Sequence, residues 1–149
     1  MRILILASGR GSNARAIMES VRDGKIRAQV CALISDNPDA PALSIAKSFG
    51  VPAKYVDPMK KGARFSSAGE AAYLREMSAH SPDLVVLAGF MRILPDSIVA
   101  AFDGKMINLH PSLLPLYKGK DSIRRAFEAG EKRSGCSVHF VSGELDGGR

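Results

Sequence analysis

The chain has 149 residues, of which 46% are hydrophobic and 24% charged, and its formal net charge is +6. This length suits one domain that buries roughly 68 to 70% of its unfolded surface, and the composition excludes a disordered or fibrous protein. The basic balance fits an anionic partner or an ordinary solvated surface. The densest basic stretch, with Lys54, Lys60, Lys61 and Arg64, lacks interleaved aromatic residues, so no nucleic-acid partner is expected.

The first apolar run, Ile3 to Ala7, is too short to span a membrane or to act as a signal peptide. A cytoplasmic protein with no membrane partner is therefore expected. Cys31 and Cys136 stand far apart, and neither has a cysteine or histidine at metal-ligand spacing. This pattern argues against a zinc site or a disulfide, and it predicts two reduced, buried thiols and no metal.

Strand patterns and helix patterns alternate along the whole sequence. Strands are predicted at 2–7, 29–35, 53–56, 84–88, 105–109 and 137–141. Helices are predicted at 13–21, 41–49, 67–81, 95–102 and 121–129. This alternation predicts parallel crossovers, and hence an open, mostly parallel, doubly wound α/β sheet of Rossmann-like type with helices on both faces.

Local signals predict where two of these helices begin. Ser12 or Asn13 is expected to cap the first helix. Ser67 is followed three positions later by Glu70, which matches a capping box at the start of the third helix. The third helix is expected to bury the apolar residues at helical spacing, namely Ala71, Leu74 and Met77, with Ala68 as a further candidate.

Ligands bind such sheets beyond the carboxyl ends of the strands. Four loops lie there, at 8–13, 89–94, 108–115 and 142–148, and they contain the polar and glycine residues that stand out in the sequence. Functional residues are therefore expected in these four loops.

The first loop reads SGRGSN and leads into a helix. Backbone N–H groups of Gly11, Ser12 and Asn13 would converge at the helix N-terminus, where unpaired donors and the helix dipole favour an anion such as phosphate. The same stretch also fits the dinucleotide fingerprint G-x-G-x-x-A, with Asp36 as the ribose-binding acid. A plain connecting turn is the third interpretation.

The third loop follows the strand in INLHPSLLP. Strand alternation places Asn108 and His110 on one face, and Pro111 ends the strand, so both side chains would emerge together at its end. In ELDGG, at 144–148, Asp146 would accept a hydrogen bond from His110 if this loop crosses the strand end, which would orient the ring and favour its cationic form. A satisfied core histidine and a surface turn are the alternatives.

With these motifs in view, the chain resembles the glycinamide ribonucleotide formyltransferases, a family of folate-dependent enzymes. The matching segments occur in order along nearly the whole chain: SGRGSN, LAGFMRILP, INLHPSLLP, GCSVHF and ELDGG. The resemblance implies transfer of a formyl group from 10-formyltetrahydrofolate to the amine of glycinamide ribonucleotide in purine biosynthesis. It also implies a monomer or homodimer that binds small molecules and needs no metal.

The resemblance implies three sets of site residues. The substrate phosphate would be held by Gly11, Ser12 and Asn13, and the reaction would be carried by Asn108, His110 and Asp146. Folate would be bound by Met91, Arg92, Ile93, Leu94, Asn108, Val141, Ser142, Gly143, Glu144, Leu145 and Asp146. An amide N–H of Asn108 and the imidazolium of His110 would stabilise the tetrahedral oxyanion, while a proton passes through water to the departing nitrogen.

Several expectations concern what lies beyond these residues. His139 is expected to have a structural or supporting role, and Arg64 is a candidate folate or phosphate contact. The family's chain normally continues past Arg149, so this single domain is expected to lack a C-terminal strand and helices, which leaves its activity open. The alternatives are a formyltransferase with another acceptor, such as methionyl-tRNA, and a non-catalytic nucleotide- or folate-binding form.

Overall fold

The computed structural model describes residues 1–119, 121–144 and 146–148. The strands are β1 (Arg2–Leu6), β2 (Gln29–Ser35), β3 (Ala53–Tyr55), β4 (Leu84–Leu87), β5 (Met106–His110) and β6 (Ser137–Phe140). The helices are α1 (Ser12–Arg22), α2 (Pro41–Ser48), α3 (Ser67–Ala79), α4 (Asp96–Ala101) and α5 (Ser122–Glu128). All the predicted elements are present, with bounds that differ by a few residues.

The six strands form one sheet in the order β3-β2-β1-β4-β5-β6. Neighbouring strands from β3 to β5 are parallel, and β6 pairs with β5 in the antiparallel direction. The mostly parallel, doubly wound α/β sheet is therefore confirmed. Strand order reverses between β1 and β4, and the carboxyl ends beside such a reversal are where ligands bind in open α/β sheets.

The sheet is covered on both faces by separate hydrophobic cores. Leu4 and Leu6 of β1 point into the core that contains Tyr73 and Met77 of α3. Ile3 and Ile5 point the other way, into the core that contains residues of α1 and α2. Because β1 is buried on both faces, it fixes the position of the glycine turn that follows it.

The start of α1 differs from the prediction. Its N-cap is Gly11, in the left-handed region with φ 74°, and no side chain caps the helix. Ser12 is already the first helical residue, so the predicted cap at Ser12 or Asn13 is wrong. A Cβ on Gly11 would lie 2.8 Å from Cα of Ala42 in α2, so the close approach of the two helices requires glycine there.

The start and the buried face of α3 also differ. Ser66 is the N-cap and its Oγ accepts a hydrogen bond from the Gly69 amide at 3.1 Å, so the predicted capping box at Ser67 is wrong by one residue. The buried residues of the helix are Gly69, Tyr73 and Met77. Of the predicted face, only Met77 is fully buried, whereas Leu74 is half-buried and Ala68 and Ala71 are exposed. The large side chains of Tyr73 and Met77, one turn apart, determine which face packs on the sheet.

The two cysteines differ in exposure, and both are free thiols. Cys31 is buried in β2, and burial raises the pKa of its thiol. Cys136 is exposed, which corrects the prediction that both are buried, because it lies in irregular chain just before β6. Within the described ranges, no helix is both long enough and apolar enough to cross a membrane.

Candidate active site

A cavity of about 670 Å³ opens beyond the carboxyl ends of β4 and β5. All four loops predicted from the sequence contribute to its lining. The predicted residues that line it are Asn13, Met91, Arg92, Ile93, Leu94, Asn108, His110, Val141, Ser142, Gly143, Glu144 and Asp146. Leu145 lies outside the described residues. A cavity of this size accommodates a ligand as large as a typical organic cofactor.

The glycine turn after β1 lies beside this cavity. Asn13 lines the cavity, whereas Gly11 and Ser12 do not, although they immediately precede it in the chain. Ser12 and Asn13 are exposed and occupy the first turn of α1, which carries no acidic side chain. The unpaired amides and the positive end of the helix dipole therefore face solvent next to the cavity, where they can bind an anion.

The cavity contains a polar cluster centred on Asp146. Its Oδ2 atom lies 3.4 Å from Nδ1 of His110 and accepts a hydrogen bond from the Gly119 amide at 2.8 Å. Its Oδ1 atom accepts a hydrogen bond from Nδ2 of Asn108 at 3.3 Å and lies 3.5 Å from Nε2 of His139. The side chains of Asp146, His110 and His139 are each only 7% exposed, so these interactions are weakly screened by solvent.

Each histidine ring of the cluster also contacts a backbone carbonyl. Nε2 of His110 lies 2.9 Å from the carbonyl oxygen of Tyr117, and its Nδ1 faces the Asp146 carboxylate. Both partners can only accept hydrogen bonds, so each ring nitrogen of His110 lies beside an acceptor. Nδ1 of His139 lies 3.0 Å from the carbonyl oxygen of Phe140, and its Nε2 lies 3.2 Å from Nδ2 of Asn108.

In this arrangement, the donor groups predicted for the reaction already face acceptors of the protein. Nδ2 of Asn108 is directed at His139 Nε2, at 3.2 Å, and at Asp146 Oδ1. The structure thus brings Asn108, His110 and Asp146 together, with their donors turned toward protein acceptors. To accept hydrogen bonds from Asn108 and His110, a substrate oxygen would have to replace the protein acceptors that these donors now face.

One wall of the cavity consists of residues 91–94. The Met91 amide donates a hydrogen bond to Oγ of Ser8 at 2.8 Å, and the Ser8 amide donates to the carbonyl of Gly89 at 3.2 Å. Met91 and Ile93 are 61% and 44% exposed, so their apolar surface is available to a planar heterocycle. The glycine turn after β1 and this wall are therefore joined directly through Ser8.

Arg92 belongs to the wall, yet its guanidinium is turned to a protein partner. Nε of Arg92 donates to Oδ2 of Asp36 at 2.7 Å, and the Asp36 side chain is only 7% exposed. A ribose-binding acid must offer its carboxylate to the ligand. Because Asp36 is buried and paired with Arg92, the geometry counts against the dinucleotide interpretation of the glycine turn.

Sequence reasoning missed two contributors to the cluster and did not place a third. His139, for which a structural or supporting role is predicted, contacts both Asn108 and Asp146 because antiparallel pairing places it opposite Asn108. The strand pattern does not give the direction of β6, so it does not predict this juxtaposition. Tyr117 and Gly119 contribute backbone atoms, and a backbone contact leaves no signal in side-chain identity.

Comparison with known proteins gives a consistent family match. The family described as formyl transferase matches residues 1–149. The phosphoribosylglycinamide formyltransferase of Escherichia coli strain K12 is 41% identical over 148 residues, which cover 99% of this chain and 69% of that protein. The Bacillus subtilis strain 168 protein of the same name is 36% identical over 147 residues, which cover 99% of this chain and 74% of that protein.

The fold matches solved structures equally well. The structure of glycinamide ribonucleotide transformylase 1 from Symbiobacterium toebii superimposes with a TM-score of 0.91 at 41% identity. The match covers 98% of this chain and 68% of that one.

Proposed function

Because the chain belongs to the formyl transferase family, we propose that it transfers the formyl group of 10-formyltetrahydrofolate to the amine of glycinamide ribonucleotide in purine biosynthesis. The observation that carries this proposal is the buried cluster of Asn108, His110 and Asp146 at the carboxyl end of β5. The choice of glycinamide ribonucleotide as the acceptor rests on the names of the relatives in Escherichia coli and Bacillus subtilis.

The folate donor would occupy the cavity beside the apolar wall. The wall at 91–94 supplies Met91 and Ile93 for contact with the pterin, and residues 141–144 and Asp146 line the same cavity. Asn108, His110 and Asp146 would then face the formyl group. This placement supports the folate-binding role proposed for these residues.

The acceptor phosphate fits the start of α1. Amides of Ser12 and Asn13 at the exposed helix N-terminus suit a phosphate dianion, and Asn13 borders the cavity. A phosphate bound there would direct the amine of the substrate toward Asn108 and His110. The net charge of +6 would favour the encounter with such an anionic substrate.

The reaction requires one bond to form and one to break. The acceptor amine attacks the formyl carbon, and the carbonyl oxygen becomes an oxyanion that accepts hydrogen bonds from Asn108 and from the His110 imidazolium. Asp146 holds that imidazolium in place through the contact with Nδ1. A proton then passes from the attacking nitrogen, through water, to the departing N10 of tetrahydrofolate, and the carbon–N10 bond breaks.

The test compares formyl transfer by the wild type with that of His110→Ala and Asp146→Asn. Each substitution removes or misorients an oxyanion donor, so each is expected to lower kcat by at least about 10²-fold. The matched controls are His80→Ala and Asp23→Asn. His80 ends α3 before the amino end of β4, away from the cavity at the carboxyl ends, and Asp23 is exposed. Both controls should retain near wild-type rates.

Normal transfer by both site variants would exclude the assigned mechanism. Acceptor identity is tested separately by offering glycinamide ribonucleotide and methionyl-tRNA in competition, with a preference for the ribonucleotide expected. Calorimetric titration with the ribonucleotide and with a folate analogue, beside the activity assay, distinguishes an enzyme from a protein that only binds these ligands.

We also propose that the protein acts in the cytoplasm, since a phosphorylated acceptor does not cross membranes. We further propose that it is a monomer or a homodimer.

A further inference from the structure

A buried carboxylate lies behind the cavity wall, outside the reaction cluster. Asp36 directly follows β2, and its Oδ2 accepts the hydrogen bond from Arg92. Its Oδ1 is buried and has no hydrogen-bond partner within the described part of the chain. An ion pair of this kind adds little stability compared with a well-packed apolar pair, so stability alone gives no reason for its presence.

Arg92 connects Asp36 to two other segments. Its Nη1 atom donates to the carbonyl oxygens of Lys60, at 2.8 Å, and of Gly62, and it lies 3.3 Å from the carbonyl oxygen of Arg64. The neighbouring Ile93 amide donates to the carbonyl of Ala63 at 2.8 Å. Residues 60–64, which we call the outer segment, are thus fastened to the wall at 91–94 mainly through one guanidinium.

Asp36 is the group that keeps this guanidinium in place. The side chain of Arg92 is only 15% exposed, and a largely buried cation requires an anionic partner. The phenol of Tyr73 is buried nearby, where burial and the Asp36 carboxylate raise its pKa, so it stays protonated and adds no second charge. Without the carboxylate, the guanidinium would lose its anionic partner and keep only its contacts with backbone carbonyls.

We propose that Asp36 is a positioning residue for the formyl-donor site, because it holds Arg92 and thereby keeps the wall at 91–94 and the outer segment in the arrangement that binds the donor. Ala63 of the outer segment lines the cavity together with the wall, so a shift of either changes the same surface. This inference rests on the proposed function of the cavity.

The kinetic test uses Asp36→Asn, which keeps the size of the side chain and removes its charge. The KM for 10-formyltetrahydrofolate is expected to rise about tenfold, while kcat changes less than about twofold, because binding is weakened equally in the ground and transition states. The KM for the ribonucleotide should not change. Asp23→Asn, which breaks an exposed ion pair, is the matched control.

A double-mutant cycle tests whether Asp36 acts through Arg92. If it does, Arg92→Met should raise the donor KM, and adding Asp36→Asn to that variant should raise it no further. Additive effects of the two substitutions would overturn the proposal, as would an unchanged donor KM in Asp36→Asn.

A second readout is independent of formyl transfer. Trypsin cleaves after Lys60, Lys61 and Arg64, and mass spectrometry measures these cuts separately from cuts after Arg15, which lies inside α1 and is cut only when that helix opens. Asp36→Asn is expected to speed cleavage of the outer segment about tenfold with cuts after Arg15 unchanged, because protection tracks the free energy of local opening. An unchanged cleavage rate of the outer segment in Asp36→Asn would overturn the proposed role of Asp36, whichever substrate the protein uses. If the wild type does not transfer formyl groups but Asp36→Asn is cleaved faster, the result counts against the proposed function alone.

Discussion

Asn108 and His139 face each other across the β5–β6 pair, and we expect their contact to affect how the amide is presented to a substrate. Nε2 of His139 and Oδ1 of Asp146 lie 3.2 Å and 3.3 Å from Nδ2 of Asn108, so two groups hold the amide nitrogen in the cluster. With the ring absent, Asp146 alone would hold it. We therefore expect His139 to help orient a donor without touching the substrate.

The two side chains should differ in their effects on formyl transfer. Asn108→Ala removes an oxyanion donor and is expected to lower kcat by about 10²- to 10³-fold. His139→Ala should lower kcat less, and in the Asn108→Ala background it should have no further effect, because it acts through the amide. Steady-state kinetics of the two single variants and the double variant measure this; independent effects would contradict the orienting role.

Single residues also show how far sequence reasoning reaches into the site. Asn108 and His110 were paired correctly because strand alternation is a local rule, and their contacts with Asp146 agree with the expected arrangement. The dinucleotide interpretation gives Asp36 a ligand-binding role, whereas in the structure Asp36 contacts Arg92, which lies 56 positions later in the sequence. Contacts of this kind arise only after folding, so local patterns do not contain them.

Among the secondary-structure elements, α3 shows how a helix start can be displaced by one residue. Ser66 and Ser67 are adjacent and chemically identical, and only the extended backbone of Ser66, with φ −80° and ψ 164°, allows its Oγ to reach the Gly69 amide. Sequence alone favoured Ser67 because Glu70 lies three positions beyond it. The choice depends on backbone conformation, which is set by how α3 packs.

Alanine substitutions at the two serines distinguish these alternatives. Ser66→Ala should lower the free energy of unfolding by about 1 kcal/mol, the usual cost of losing an N-cap side chain. Ser67→Ala, at an exposed position in the first turn, should change it by less than about 0.5 kcal/mol. Chemical denaturation measures both, and the reverse order of effects would restore Ser67 as the cap.

The direction of β6 was the least predictable feature of the sheet. A run of apolar residues indicates a strand, but it carries no information on whether the partner strand is parallel. The four-residue strand pairs antiparallel with β5 through Ile107, Asn108, Leu109 and His110. The fold class could be predicted because five alternating strands are sufficient for it, while the placement of His139 depended on the sixth.

For the molecule as a whole, acid should weaken the link between an edge strand and a helix. Lys54 of β3 pairs with Glu76 of α3, and this hydrogen bond, with help from His80, lowers the pKa of Glu76 below its ordinary value of 4.5 despite partial burial. A carboxyl group with a lowered pKa in the folded state stabilises the protein above the unfolded-state pKa. That contribution is lost as the pH falls through the folded-state value.

Glu76→Gln should therefore reduce the pH dependence of stability. Between about pH 6 and pH 3, the wild type should lose roughly 0.2 to 1 kcal/mol more unfolding free energy than the variant, the range for ion pairs near the surface. The Lys54 side chain is 61% exposed, although that of Glu76 is only 19% exposed. Urea denaturation at several pH values measures the difference. Glu128→Gln, in the exposed pair with Arg124, is the matched control, and equal pH profiles for Glu76→Gln and the wild type would contradict the assignment.

Ser8 lies where the strand order reverses, and it connects the segment after β1 with the segment after β4. Its hydroxyl accepts a hydrogen bond from the Met91 amide, and its own amide donates to the carbonyl of Gly89. Ser8 also begins the glycine turn after β1, for which we propose phosphate binding. The turn after β1 and the wall that follows β4 therefore share a direct contact at Ser8. If binding at one of them changes affinity at the other, thermodynamic reciprocity makes the factor the same in both directions.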